Sequence, residues 1–332
     1  MKIKSTSHES RVTSHRYVVA LAIALICGGA SAETYPARPI RMLIPFAPGG
    51  ATDIIGRMIE PKMSRSLGQQ IVVDNRAGAA GNIAVELTAQ ALPDGYTLLV
   101  GNISTNSINP ILFANRTKVN AIKDLAGVTK LVAIPNFLLG SPKMPPTLKE
   151  AIEYAKSRPG QLNFGAPLGS YSHLDMLAFT AKAGIKMVHI PTKGAGETLT
   201  NLLRNDSNIQ ISNVASNIGP VRAGQIRAYA VTGSKRIAEA PSVPTMTEAG
   251  FPGIGSDNWN GIFAPVKTPK PILAKLHDSA VKAMKELEAE GVLEKRQTPI
   301  SISASPAEFD AYVLSELKRW DKIIKDNNVK ID

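Results

Sequence analysis

Cysteine is almost missing from this sequence: Cys27 is the one copy in 332 residues. It stands in an N-terminal stretch that reads as a signal peptide over residues 1–32. Lys2, Lys4, Arg11 and Arg16 precede or flank an apolar run at 17–26, and Ala30-Ser31-Ala32 offers a small-residue cleavage site. Cleavage there starts the mature chain near Glu33 and leaves it without a thiol, which excludes disulfides and cysteine chemistry. An uncleaved membrane anchor is the alternative. So is lipidation at Cys27, although Ile26 fills a position where a small residue is usual. Aromatic residues are also scarce, at 5%, and do not interleave with the basic ones, so a nucleic-acid groove is not expected. Catalytic signatures are missing too. There is no G-x-S-x-G elbow, no H-E-x-x-H, no P-loop, and no G-x-G-x-x-G after the first strand. His8 and His15 belong to the leader, while His173, His189 and His277 are too widely spaced to suggest a metal site. No cofactor and no metal are expected.

What is present is an ordinary globular composition, 44% hydrophobic, with a net charge of +11 that falls to +8 without the leader. The basic residues are scattered singly or in pairs, which suits an anionic small ligand better than a polyanion. About 300 mature residues exceed what one core comfortably fills, so two domains are expected. Strand and helix signals alternate, which predicts an α/β fold with mostly parallel sheets flanked by helices. Strands are expected at 40–44, 71–73, 96–100, 136–139, 162–164, 187–190, 209–211, 226–231 and 261–264. A helix follows Asn82, running through Val85, Leu87 and Ala91. Thr147 with Glu150, and Ser305 with Glu308, have the spacing of helix N-terminal caps. The pattern restarts near Leu131, and the chain crosses between halves near 131–136 and 256–262. Lobe 1 is therefore placed at 33–134 plus 258–332 and lobe 2 at 135–257. Two linking segments make a hinge, and a hinge between lobes makes a cleft.

Two motifs point into that cleft. Pro48-Gly49-Gly50-Ala51-Thr52-Asp53 sits where the first strand hands over to an apolar-striped helix. Glycine there leaves backbone N–H groups open to an anion, with Thr52 or Asp53 as helix cap. A purely structural tight turn is the competing reading. Gly169-Ser170-Tyr171-Ser172-His173 repeats the arrangement in the other half, with Ser170 and Ser172 as hydroxyl donors. His173 can donate there or serve as cap or packing partner. Opposed helix N-termini would hold an anion from both sides. The segment 77–82 is glycine-rich but fails the P-loop pattern, and 101–107 reads as a polar loop. Asn213 follows a strand end and can bond a ligand or water. Lys193 can lie near the cleft or be a solvated lysine.

Several motifs, in order and spacing, resemble the Bug extracytoplasmic solute receptors, the periplasmic binding proteins of tripartite tricarboxylate transporters. These are Tyr35-Pro36-Ala37-Arg38-Pro39-Ile40, Pro45-Phe46-Ala47-Pro48-Gly49-Gly50 with Thr52-Asp53, Asn75-Arg76-Ala77-Gly78 with Gly81-Asn82, Pro93-Asp94-Gly95-Tyr96, Ser172-His173-Leu174, Lys193-Gly194, Ala249-Gly250-Phe251-Pro252-Gly253 and Phe263-Ala264-Pro265. The resemblance covers essentially the whole mature chain. It implies a two-lobed, type II-like Venus-flytrap fold, a periplasmic monomer without catalysis, and delivery of a small carboxylate ligand to an inner-membrane transporter. It also implies ligand contacts from Phe46, Gly50, Ala51, Thr52, Asp53, Gly78, Asn102, Thr105, Gly169, Ser170, Tyr171, Ser172 and His173. Three positions depart from the family's usual residues: Asn106 stands for His, Thr192 for Tyr and Ser212 for Asp. The last two change the polarity of the second lobe's wall and leave the far end of the ligand open. A receptor feeding a signalling sensor and a secreted enzyme are the other function classes.

Overall fold

A computed structural model describes residues 35–192, 194–233, 235–296 and 298–329, so the expected signal peptide, Cys27 and Lys193 lie outside the described residues. Arg38–Asp332 form one compact unit. Its strands are β1 (Ile40–Ile44), β2 (Ile71–Asn75), β3 (Thr97–Asn102), β4 (Leu125–Ile134), β5 (Asn136–Gly140), β6 (Leu162–Ala166), β7 (Met187–Pro191), β8 (Ile209–Asn213), β9 (Arg227–Val231) and β10 (Asn258–Pro265). Its longer helices are α1 (Ala51–Leu67), α2 (Asn82–Ala89), α3 (Leu148–Lys156), α4 (Tyr171–Ala183), α5 (Ala195–Arg204), α6 (Val214–Arg222), α7 (Lys270–Ala289) and α8 (Pro306–Asp326).

The strands sort into two sets. The first is a five-stranded sheet in the order β2-β1-β3-β10-β4; the second comprises the sheet β8-β5-β9 and the ladder β6-β7. This is a two-lobed α/β fold. The sheets are mixed rather than mostly parallel. β1 runs parallel to β2 and β3, but β10 is antiparallel to both β3 and β4. β5 is likewise antiparallel to β8 and β9. The reason lies in the crossings: β4 carries the chain out of the first sheet, β10 brings it back, and the two pair side by side with opposite sense.

The apolar stripe expected of the helix after the first strand is realised in α1, where Ile55, Ile59 and Met63 are buried, and α7 buries Leu276, Ala280, Met284 and Leu287 at the same helical spacing. Gly56 lets α1 press on β1, since a Cβ there would come 2.7 Å from Ile44 Cδ1. Thr147 and Glu150 form a reciprocal capping box at α3. Ser305 accepts the Glu308 N–H at α8, while the Glu308 carboxylate accepts from Ala304 N–H. α2 ends at Ala89, two residues short of Ala91. Strand β4 has no counterpart among the sequence expectations. The 101–107 loop also proves more regular than expected, because β3 runs on through Asn102 and a π-helical turn covers Ser104–Ile108.

The cores follow the sheets. Leu43, Leu99, Trp259, Phe263, Phe309 and Trp320 belong to one cluster, with Trp259 edge-on to Phe309 at 5.7 Å between centroids. Phe164, Met176, Phe179 and Ile211 belong to a second cluster, and Phe137, Leu139, Leu202 and Val231 to a third. Leu174 of α4 packs into the first of these, although its flanking strands β6 and β7 lie in the other set. The start of α4 therefore rests against the core of the first sheet.

Candidate functional site

The first elbow joins β1 to α1. Its turn is exposed at Gly49, Gly50 and Ala51, and Phe46 is partly buried beside it. Gly49 takes φ +88°, a left-handed conformation that glycine adopts at low cost. Gly50, in extended geometry, is the N-cap, and no side chain bonds the helix end. The expectation of a cap from Thr52 or Asp53 is thus corrected: both lie inside the first turn and their side chains are drawn elsewhere. The first intrahelical bond runs from Ile54 N–H to Gly50 O at 2.9 Å, so the amides of Ala51, Thr52 and Asp53 lie ahead of the ladder.

Thr52 Oγ1 donates to Asn260 Oδ1 at 2.9 Å and accepts from Asn102 Nδ2 at 3.3 Å. Asn102 and Asn260 are register partners across β3 and β10, which places their amides together. Asn102 Oδ1 accepts the amides of Ser104 and Thr105 at 3.0 and 3.1 Å, folding the chain into its π-turn. Thr105 Oγ1 in turn donates to Asn106 Oδ1 at 2.7 Å. Asn106 Nδ2 and Asn260 Nδ2 are buried donors without a hydrogen-bond partner among the described residues. Asp53, nearly fully buried, accepts from Gly49 N–H, Asn75 Nδ2 and Arg57 Nε at 2.8, 2.8 and 3.0 Å.

The second loop, opened by Asn75, is locked to the other two. Asn109 Nδ2 donates to Ala80 O at 2.9 Å and Asn75 Nδ2 to Phe46 O at 3.0 Å. Gly81, at φ +94°, is where all three loops meet: a Cβ there would lie 2.6 Å from Thr105 Cγ2 and 3.1 Å from Pro45 Cβ. Gly78 is exposed at φ +128°.

The second elbow joins β6 to α4. Ser170 is the N-cap, accepting from His173 N–H at 3.3 Å and donating to Pro167 O at 2.7 Å; Ser172 Oγ lies 2.9 Å from Ser170 Oγ. Gly169 N–H donates to His173 Nδ1 at 3.2 Å, so His173 acts here as an acceptor. Its ring stacks on His189 at 4.0 Å and on Phe164 at 6.0 Å. Burial, with a contribution from His189, pushes its pKa down to about 4, and the ring is neutral at pH 7. Tyr171 Oη donates to Asn136 Oδ1 at 3.2 Å, and burial, then Asp175, raises its pKa.

The structure thus gathers Phe46, Gly50, Ala51, Thr52, Asp53, Asn102 and Thr105 around one elbow and Gly169, Ser170, Tyr171, Ser172 and His173 around the other. Among the described residues no hydrogen bond joins the two elbows directly. Asn213 is the N-cap of α6, its Oδ1 accepting Ser216 N–H at 2.8 Å, and it is the register partner of Asn136, the residue that accepts from Tyr171 Oη. The second lobe's wall is neutral where the departures occur: Thr192 and Thr198 hydroxyls meet at 2.7 Å, and Ser212 Oγ accepts from Asn217 Nδ2 at 3.0 Å. Asn260 was absent from the sequence expectations, and Asn75 and Gly81 stood there only as motif residues without a role at the site. The available signal was the pair of amides, Asn258 and Asn260, in an otherwise apolar strand.

Paired strand–elbow–helix units on two lobes joined by β4–β5 and β10 define a periplasmic binding protein fold. Solved structures agree. MatC of Rhodopseudomonas palustris, solved with bound malate, superposes with TM-score 0.74 at 31% identity, covering 87% of this chain and all of that one. A second Rhodopseudomonas palustris protein, solved with adipate, gives 0.77 at 30% identity over 89% of this chain and 99% of its own. BugT of Bordetella pertussis is 33% identical over 315 residues, 94% of this chain and 96% of that protein. The family model of TctC, the tripartite tricarboxylate transporter family receptor, matches residues 55–329. The chain belongs to this family of solute-binding receptors.

Proposed function

We propose that this chain is a periplasmic receptor that captures a small carboxylate-bearing metabolite, releases it unchanged, and passes it to the inner-membrane subunits of a tripartite tricarboxylate transporter. It works as a monomer, exported by its leader. Lobe 1 is 33–134 plus 258–332 and lobe 2 is 135–257, with the hinge at the two crossings.

The observation that carries this reading is the first elbow. Its glycine turn is exposed, α1 begins without a side-chain cap, and the amides of the first turn precede the first intrahelical bond. An anion at such an end gains roughly 0.3–1 kcal/mol from the helix dipole and about 1.5–3 per charge-assisted hydrogen bond. Micromolar affinity needs about 8 kcal/mol net, within reach of two anchored carboxylates and modest apolar burial. The malate and adipate held by the two family structures support a dicarboxylate guest. A guest touching both lobes favours the arrangement in which both reach it, which shifts the population toward closure.

Titration calorimetry with malate, adipate, citrate, glutamate and benzoate tests the reading. Saturable 1:1 binding of at least one carboxylate, recovered chemically unchanged, is expected. Binding of none, or turnover of a bound one, overturns it.

A further inference from the structure

Asp53 poses an electrostatic problem. It is the third residue of α1, its side chain is 4% exposed, and a carboxylate there lies against the very helix end proposed to hold an anion. Left alone it would repel the guest. It is not left alone. One oxygen accepts Gly49 N–H at 2.8 Å; the other accepts Asn75 Nδ2 at 2.8 Å and Arg57 Nε at 3.0 Å. Arg57 Nη2 also donates to Asn75 Oδ1 at 2.8 Å, and Asn75 Nδ2 reaches Phe46 O at 3.0 Å. The cluster therefore braces the turn 46–49 from behind and fastens it to the second loop. Burial pushes the Asp53 carboxyl up, but the bonds from Gly49, Asn75 and Arg57 and the Arg57 charge outweigh it and hold it below the ordinary range. Both its oxygens are thus turned to protein donors. Donors without such partners lie elsewhere at the elbow, including Asn260 Nδ2 beside Thr52.

We infer that Asp53 is a positioning residue rather than a ligand contact, and that Arg57 cancels its charge so that the elbow presents a net positive field to an anionic guest. The inference rests on the site reading above. Arg57 is about half exposed, and its hydrogen bonds go to Asp53 and Asn75 rather than to the exposed turn, so its effect on binding would pass through these two residues, by charge through Asp53 and by bracing through Asn75.

Calorimetry with malate and adipate as probes, at low and high salt, separates charge from scaffolding. Arg57→Gln exposes the Asp53 charge and weakens binding about tenfold, the size expected of one uncancelled charge about 6 Å away at an effective dielectric of about 40. The loss shrinks at high salt. Arg57→Lys keeps the charge and stays within threefold of the parent. The double variant Asp53→Asn/Arg57→Gln removes both charges and recovers at least half of the lost logarithm of affinity. Melting temperatures confirm that each variant is folded. If Arg57→Gln binds within twofold of the parent, or the double variant binds no better than Arg57→Gln, the inference fails while the function stands. If the parent protein binds no carboxylate, both fail.

Discussion

Replacing Arg319 with leucine tests how the second elbow is held. Asp175, one turn into α4 and fully buried, accepts Ser256 N–H at 2.8 Å, Ser256 Oγ at 3.2 Å and Arg319 Nη2 at 3.1 Å. Arg319 reaches it from α8 and also bonds Gly255 O at 3.2 Å and Ser256 Oγ. The same crossing segment is tied to Tyr171 through Asn136, whose Nδ2 donates to Ser256 O. Burial raises the Asp175 carboxyl pKa, and Arg319 with Ser256 pulls against that rise. Breaking a buried pair by deleting one partner costs about 3–5 kcal/mol. Ser256 retains its bonds and Asp175 can take up a proton, so the lower end, about 3 kcal/mol, is expected. At roughly 2–4 °C per kcal/mol the melting temperature falls by about 6–12 °C. Urea unfolding at pH 7 measures it. Adding Asp175→Asn recovers most of the loss. The pH response has a definite sign: a carboxyl whose folded pKa is raised gains stability as pH falls through that pKa toward its unfolded value. The gap between Arg319→Leu and the parent therefore narrows on acidification toward pH 4. A gap under 0.5 kcal/mol, or one independent of pH, refutes the reasoning.

Three further outcomes are expected. His173, whose folded pKa lies at about 4 against an ordinary 6.5, contributes stability that is complete above pH 6.5 and is lost as pH falls toward 4. The loss amounts to about 3 kcal/mol, and His173→Gln flattens that part of the denaturation profile between pH 7 and pH 4. Gly81→Ala forces a left-handed alanine against Thr105 and Pro45; it costs about 2–4 kcal/mol in urea unfolding and weakens malate binding by prising the three loops apart. Thr147→Ala removes the α3 capping box and lowers stability by about 1 kcal/mol, with carboxylate affinity unchanged by calorimetry.

What could be read in the sequence was what neighbours along the chain decide. The caps at Thr147 and Ser305 need only a partner three residues on, and the α1 stripe needs only its own period. Strand β4 was hidden because Gly127, Thr129 and Lys130 interrupt its apolar run. Their places are set by distant α8, where Asp310 accepts Gly127 N–H and Lys130 Nζ sits 3.8 Å over the Tyr312 ring. The elbow residues were legible as residues but not as roles. Thr52 has the chemistry of a cap, yet a strand that returns some two hundred residues later offers it Asn260, and the hydroxyl goes there. Asp53 has the chemistry of a ligand contact, yet Asn75 and Arg57 face it instead. His173 stood in sequence between a donor and a cap or packing partner, and the stacked His189 and the Gly169 amide make it a packed, neutral acceptor.

The most direct measurement of the central claim is a crystal structure of the protein with adipate. A carboxylate within hydrogen-bonding distance of backbone N–H groups in both 50–53 and 169–173 is the expected result. Adipate seated away from these turns, or held by charged side chains with the elbow amides untouched, would contradict it.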